Sequence, residues 1–211
     1  MEIRSFGCSF TAGTDLVDCE QNWPQILAKR LNVLCLNYSE PGTGNLFIAE
    51  SVLRHARPGD FCIINWTYID RFDFVDPVSE EWKSILPGDT ANYSKTYYRY
   101  LHSQYRDMLS NLLTSVAVVD FLEKQSIPFM MTVIDDLWFE LVHDSWHNST
   151  AVTRLQSRLR QHVFDFEGQN FLSWARQKSY SISVANHPLD QAHVAAADLM
   201  QPVIESILHR A

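Results

Sequence analysis

Glu2-Ile3-Arg4-Ser5-Phe6-Gly7-Cys8-Ser9-Phe10-Thr11-Ala12-Gly13 begins as a short strand-like run over residues 2–6 and breaks into a loop rich in Gly, Ser and Thr. The pattern downstream of this loop fixes the class of fold. Asn22-Trp23-Pro24 reads as a helix start, a capping Asn with Pro in the first turn, and Trp23, Ile26, Leu27 and Leu31 continue at helical spacing. Residues 33–37 form a second apolar run that Pro41-Gly42-Thr43-Gly44 ends. Leu46, Ala49, Val52, Leu53 and Ala56 mark a second amphipathic helix, and the β-branched run 61–66 a third strand. Residues 75–95 carry turn chemistry. A long helix is expected from about Tyr97 to Gln125, with Leu101, Tyr105, Met108, Leu109, Leu112, Val116 and Val119 facing inward. A fourth strand over 127–134 and helices near 150–162, 171–177 and 189–208 complete the pattern. Strands separated by helices of this length imply βαβ units, hence an α/β chain with a mainly parallel sheet covered on both faces. No repeat or linker divides residues 1–211, and one domain is expected.

Composition narrows the function. Lys and Arg number 17 against 25 Asp and Glu, a net charge of −8, which argues against a nucleic-acid partner and against adsorption to an anionic membrane. No apolar run approaches the ~20 residues of a membrane span. Met1 to Phe10 lacks a stretch of signal-peptide length, and the four cysteines, Cys8, Cys19, Cys35 and Cys62, show no paired spacing. A cytoplasmic chain with reduced thiols is expected. Neither a metal nor an organic cofactor is implied, because no metal-ligand spacing occurs.

In a parallel α/β sheet, ligands bind beyond the carboxyl ends of the strands, so the loops after Phe6, Asn37, Trp66 and Ile134 hold the candidate site. Ser9, in a tight strand-to-helix turn, is placed as a nucleophile; the other reading of its loop is a helix-capping turn. Cys8 is a competing nucleophile whose side chain should point elsewhere. Gly42 permits close backbone approach to a ligand, and Asn45 either donates its amide to an oxyanion or caps the next helix. His187, before Pro188 and the last helix, is held on a rigid turn as a general base should be, although a His at a helix start is also a common structural feature.

Taken together, Gly7-x-Ser9 at the amino terminus, Gly42 after the second strand, a polar loop after the third and His187-Pro188 before the last helix resemble the SGNH (GDSL) hydrolase family. The resemblance implies a flavodoxin-like sheet of about five parallel strands and a serine ester hydrolase or acyltransferase. It implies Ser9 as nucleophile, the N–H groups of Ser9 and Gly42 in the oxyanion hole, and His187 as base. A small acyl ester, such as an O-acetyl group on a carbohydrate, is the expected substrate. The chain departs from the family in three places. Cys8 stands where the first block has Asp. Thr67 and Ile69 stand where the third has Gly and Asn, with Asn45, Thr67 or Arg71 as replacement donors and Asn45 preferred. Val184 stands where the triad acid precedes the His. A backbone carbonyl, or a carboxylate from elsewhere such as Asp135 or Asp136, would then orient His187; the alternative is the pair Asp190 and His193, which restores the Asp-x-x-His spacing. Absence of the usual Asn and Asp also fits a catalytically degenerate carbohydrate- or ester-binding protein, or a partner-binding surface anchored by Tyr68, Trp82 or Trp138.

Overall fold

The computed structural model describes residues 1–139 and 149–210. Four parallel strands, β1 (Ile3–Phe6), β2 (Cys35–Asn37), β3 (Phe61–Trp66) and β6 (Phe129–Val133), form a sheet in the order β2-β1-β3-β6. A fifth position exists only as a single parallel bridge: Met131 donates to the His162 carbonyl at 3.1 Å and accepts from the Phe164 N–H at 2.7 Å. The sheet thus has four strands where about five were expected.

Every residue of β3 is buried, as a central strand covered on both faces requires. Phe61 and Ile63 face one core, with Trp23 and Leu27 of α2 (Trp23–Leu31), Trp174 of α7 (Phe171–Gln177) and Ala196, Met200 and Ile204 of α8 (Asp190–Leu208). Cys62, Ile64 and Trp66 face the other, with Val52 of α3 (Asn45–His55), Leu112 and Val119 of α5 (Gln104–Lys124) and Leu159 of α6 (Thr150–Arg160). Burial raises the Cys35 thiol to about 11 and the Cys62 thiol to about 12, so neither is a ready nucleophile. All four cysteines are free.

Two expectations change. The long helix is two: α4 (Asn92–Tyr100) stops, and Ser103 caps α5 by accepting from the Arg106 N–H. Leu101 falls in the break and is exposed rather than inward-facing. Ahead of them, the chain entering the insertion forms an antiparallel hairpin, β4 (Phe72–Val75) with β5 (Trp82–Ile85). Trp138 is not a surface anchor: it is fully buried and donates its indole N–H to the Thr67 carbonyl at 3.0 Å. Among the described residues, no helix is long and apolar enough to cross a membrane.

Candidate active site

Ser9 is the first residue of α1 (Ser9–Ala12), directly after β1, with Cys8 extended before it and Gly13 closing the turn at φ 80°. Its N–H is one of the amides that a helix start leaves without an intrahelical acceptor. Ser9 is 6% exposed and its hydroxyl lies 3.9 Å from Cys8 Sγ; Cys8 itself is buried in the core. The Gly42 loop is fastened to this turn. Glu40 N–H donates to the Gly7 carbonyl at 3.1 Å, and Asn37 Nδ2 donates to the Thr11 carbonyl at 3.0 Å. Gly42 has φ +82°, a left-handed conformation that suits glycine, and a Cβ there would meet only open space.

His187 reaches the same rim from the other side of the chain. Residues 183–187 turn back on themselves: Ser183 N–H donates to the His187 carbonyl at 2.9 Å, and Asn186 has φ 66°. The imidazole rests edge-on against Phe10, the neighbour of Ser9, with ring centroids 5.4 Å apart. Its Nδ1 lies 2.7 Å from Oδ2 of Asp15, and the Ser183 hydroxyl donates to that same oxygen at 2.7 Å. These hydrogen bonds hold the Asp15 carboxyl below the usual carboxylate range, the His187 contact contributing most. Among the described residues no hydrogen bond joins Ser9 to His187, a separation common before substrate aligns the groups.

Other candidates occupy different places. Asn45 is 1% exposed, and its amide is spent inside the protein. Nδ2 donates to Asn111 Oδ1 at 2.7 Å and to the Thr67 and Tyr68 carbonyls at 3.2 and 3.3 Å, while Oδ1 accepts from the Thr67 N–H at 2.8 Å. It stitches α3 to the loop after β3 and offers no proton to an oxyanion. The Thr67 side chain is fully buried. Arg71 remains at the rim, its Nη1 donating to the Thr43 carbonyl at 2.7 Å and its guanidinium over the Tyr68 ring.

Neither strand-four aspartate orients His187. Asp135 accepts from the Ile69 and Leu137 N–H groups at 3.1 and 3.0 Å, which caps the turn after β6; burial raises its carboxyl. Asp136 accepts from Asn170 Nδ2 at 2.6 Å. The pair Asp190 and His193 does not assemble either. His193 is 1% exposed; its Nδ1 accepts from the Trp23 N–H at 3.1 Å, and burial pushes the imidazole down to about 4. Its Nδ1 is thereby committed to the start of α2 and not to Asp190. Among the described residues, no cluster of His, Cys, Asp or Glu could hold a metal ion.

The sequence reading missed Asp15 and Ser183. Asp15 has φ 70°, a conformation in which Asp is over-represented among non-glycine residues. That is a backbone signal with no marker in the sequence.

No family model and no curated protein matches the chain. Solved structures do. A member of the lipolytic protein G-D-S-L family from Veillonella parvula DSM 2008 is similar with a TM-score of 0.54 and 17% identity, over 96% of this chain and 97% of that one. The structure named TesA has a TM-score of 0.57 and 12% identity, over 98% and 99%. The acetyl xylan esterase AlAXEase has a TM-score of 0.53 and 13% identity, over 96% and 99%. A likeness that runs over nearly the full length of both chains gives this one the fold of the SGNH (GDSL) lipolytic proteins.

Proposed function

We propose that the protein is a serine esterase of the SGNH type, with Ser9 as nucleophile and His187 as base. The observation that carries this reading is the His187 ring packed on Phe10, the residue that follows Ser9 in the nucleophile turn. Ser9 Oγ attacks the ester carbonyl carbon as its proton passes to His187 Nε2, and the carbonyl π electrons move to the oxygen. The Ser9 and Gly42 N–H groups stabilise that oxyanion; each such donor is worth about 10²–10³ in rate. Collapse expels the alcohol, which takes the proton back from His187. Water, or another hydroxyl in a transfer reaction, then repeats the sequence on the acyl-enzyme. An O-acetyl group on a carbohydrate is the proposed substrate, supported by the likeness to an acetyl xylan esterase.

Fluorophosphonate labelling with peptide mapping tests this on the wild type, His187→Ala and His193→Asn. The Asn side chain retains an acceptor for the Trp23 N–H. Label is expected on Ser9, lost in His187→Ala and kept in His193→Asn. An unlabelled Ser9 at high reagent concentration sinks the esterase and favours a binding protein on the same fold.

A further inference from the structure

We infer that Asp15, carried by the nucleophile's own loop, is the carboxylate that orients His187, and that Ser183 locks the pair. The inference rests on the esterase reading for its catalytic meaning, but its geometry stands independently. The position three residues before His187 is Val184, an apolar side chain fully exposed to solvent, so the local segment supplies no acid. Asp135 and Asp136 are committed to backbone amides and to Asn170. Asp15 alone among these carboxylates meets the imidazole, Oδ2 to Nδ1 at 2.7 Å.

Ser183 makes the contact directional. Its single hydroxyl proton goes to Asp15 Oδ2 at 2.7 Å, and its oxygen accepts the backbone N–H of His187 at 3.1 Å. One side chain therefore ties the carboxylate to the base's own main chain. Phe10 closes the other flank of the ring, at an interplanar angle of 81°. With Asp15 ionised, as its depressed carboxyl favours, the imidazole is held as the Nδ1–H tautomer. Nε2 then carries the lone pair that a general base needs. Asp15 acts through His187 and is a positioning residue. The left-handed backbone at Asp15 turns its side chain back across the loop, which is how a residue beyond α1 stands in for one beside the histidine.

The test compares wild type, Asp15→Asn, Asp15→Glu and Ser183→Ala. Three readouts are used: hydrolysis of p-nitrophenyl acetate, Ser9 labelling, and NMR of the His187 ring, which reads the Nδ1–H tautomer and its hydrogen bond. Asp15→Asn is expected to lower kcat by about 10²–10⁴ with KM nearly unchanged. Loss of the carboxylate should also remove the downfield Nδ1–H proton resonance that a charge-assisted hydrogen bond gives. Asp15→Glu should recover part of kcat and of that resonance, and Ser183→Ala should lose less than Asp15→Asn. Wild-type kcat and an unchanged Nδ1–H resonance in Asp15→Asn, with Ser9 still labelled, would overturn the inference and leave the esterase standing. A wild type that neither labels nor turns over removes the esterase and the positioning role together. The ring resonance then still reports whether the two side chains are paired.

Discussion

The Trp23 N–H donates to Nδ1 of His193 across 3.1 Å, so a helix-start amide of α2 is satisfied by a side chain from the opening of α8. The imidazole is buried, edge-on to Phe171, and burial pushes it down to about 4. Unfolded, the same group titrates near 6.5. The folded state therefore refuses a proton that the unfolded chain accepts. The resulting stability is complete above pH ~6.5 and falls as pH drops toward about 4, by roughly 3 kcal/mol. Urea unfolding at several pH values should show this slope in the wild type and a flatter one in His193→Asn. Equal slopes would contradict it.

A carboxylate from β4 governs the start of α3. Asp73 Oδ1 accepts from the Gly44 N–H at 2.8 Å and Oδ2 from the Phe47 N–H at 2.9 Å, while Ser84 also donates to Oδ1. A Cβ on Gly44 would stand 2.4 Å from that oxygen. Asp73→Ala should cost about 1–2 kcal/mol, the range of a lost helix cap. Gly44→Ala should displace the same carboxylate. The double variant is then expected to fall well short of the sum in thermal unfolding; strict additivity would mean that the two changes act separately.

Asn45 gives opposite expectations for a structural and a catalytic amide. Because it holds the Thr67 N–H and Asn111, Asn45→Ala leaves buried polar groups unpaired and should destabilise by about 1–3 kcal/mol. At temperatures where the variant remains folded, Ser9 labelling should persist. A variant of unchanged Tm that had lost labelling would return Asn45 to the oxyanion hole.

Gly7 is required by space rather than by φ. A methyl there would lie 2.4 Å from Thr11 Oγ1 and 3.2 Å from Asn65 Cβ. Thr11 accepts from Asn65 Nδ2 at 2.9 Å, and Asn65 Oδ1 accepts from Thr132 at 2.8 Å, a buried polar line across the sheet. Gly7→Ala should lower stability by about 1–3 kcal/mol, as overpacking does, read as a drop in the urea midpoint. Thr132→Val should also destabilise, by leaving Asn65 Oδ1 unpaired. An unchanged midpoint in either variant would show that the strand ends yield freely.

The sequence disclosed what depends on neighbours along the chain. The β3 run, apolar but for Asn65, the Asn22 cap with Pro24, and the turn before α8 each announce themselves within a few residues. The break between α4 and α5 did not, because apolar spacing continues through Leu101 and only Ser103, a good cap, marks it. The β4–β5 hairpin is marked only weakly: Phe72-Asp73-Phe74-Val75 alternates for barely four residues, and its partner strand is flanked by the turn residues Asp76-Pro77 and Pro87-Gly88. At the site, Ser9, Gly42 and His187 stood out by position. Asp15 did not, because its partner lies at the far end of the chain and its orientation depends on one backbone angle. Asn45 showed the converse: a polar residue at the right loop, whose amide the fold had already spent.

The single bridge beside β6 bears on how the molecule meets its own copies. Odd-numbered residues of β6 turn their peptide groups away from β3, and a free border of this kind is a template for an incoming strand. Met131, the middle residue, already exchanges both groups with residues 162–164. Among the described residues, only the separated groups of Phe129 and Val133 remain on either side. The border is interrupted at its midpoint, and that denies a second chain the run of consecutive pairs on which intermolecular sheet growth depends.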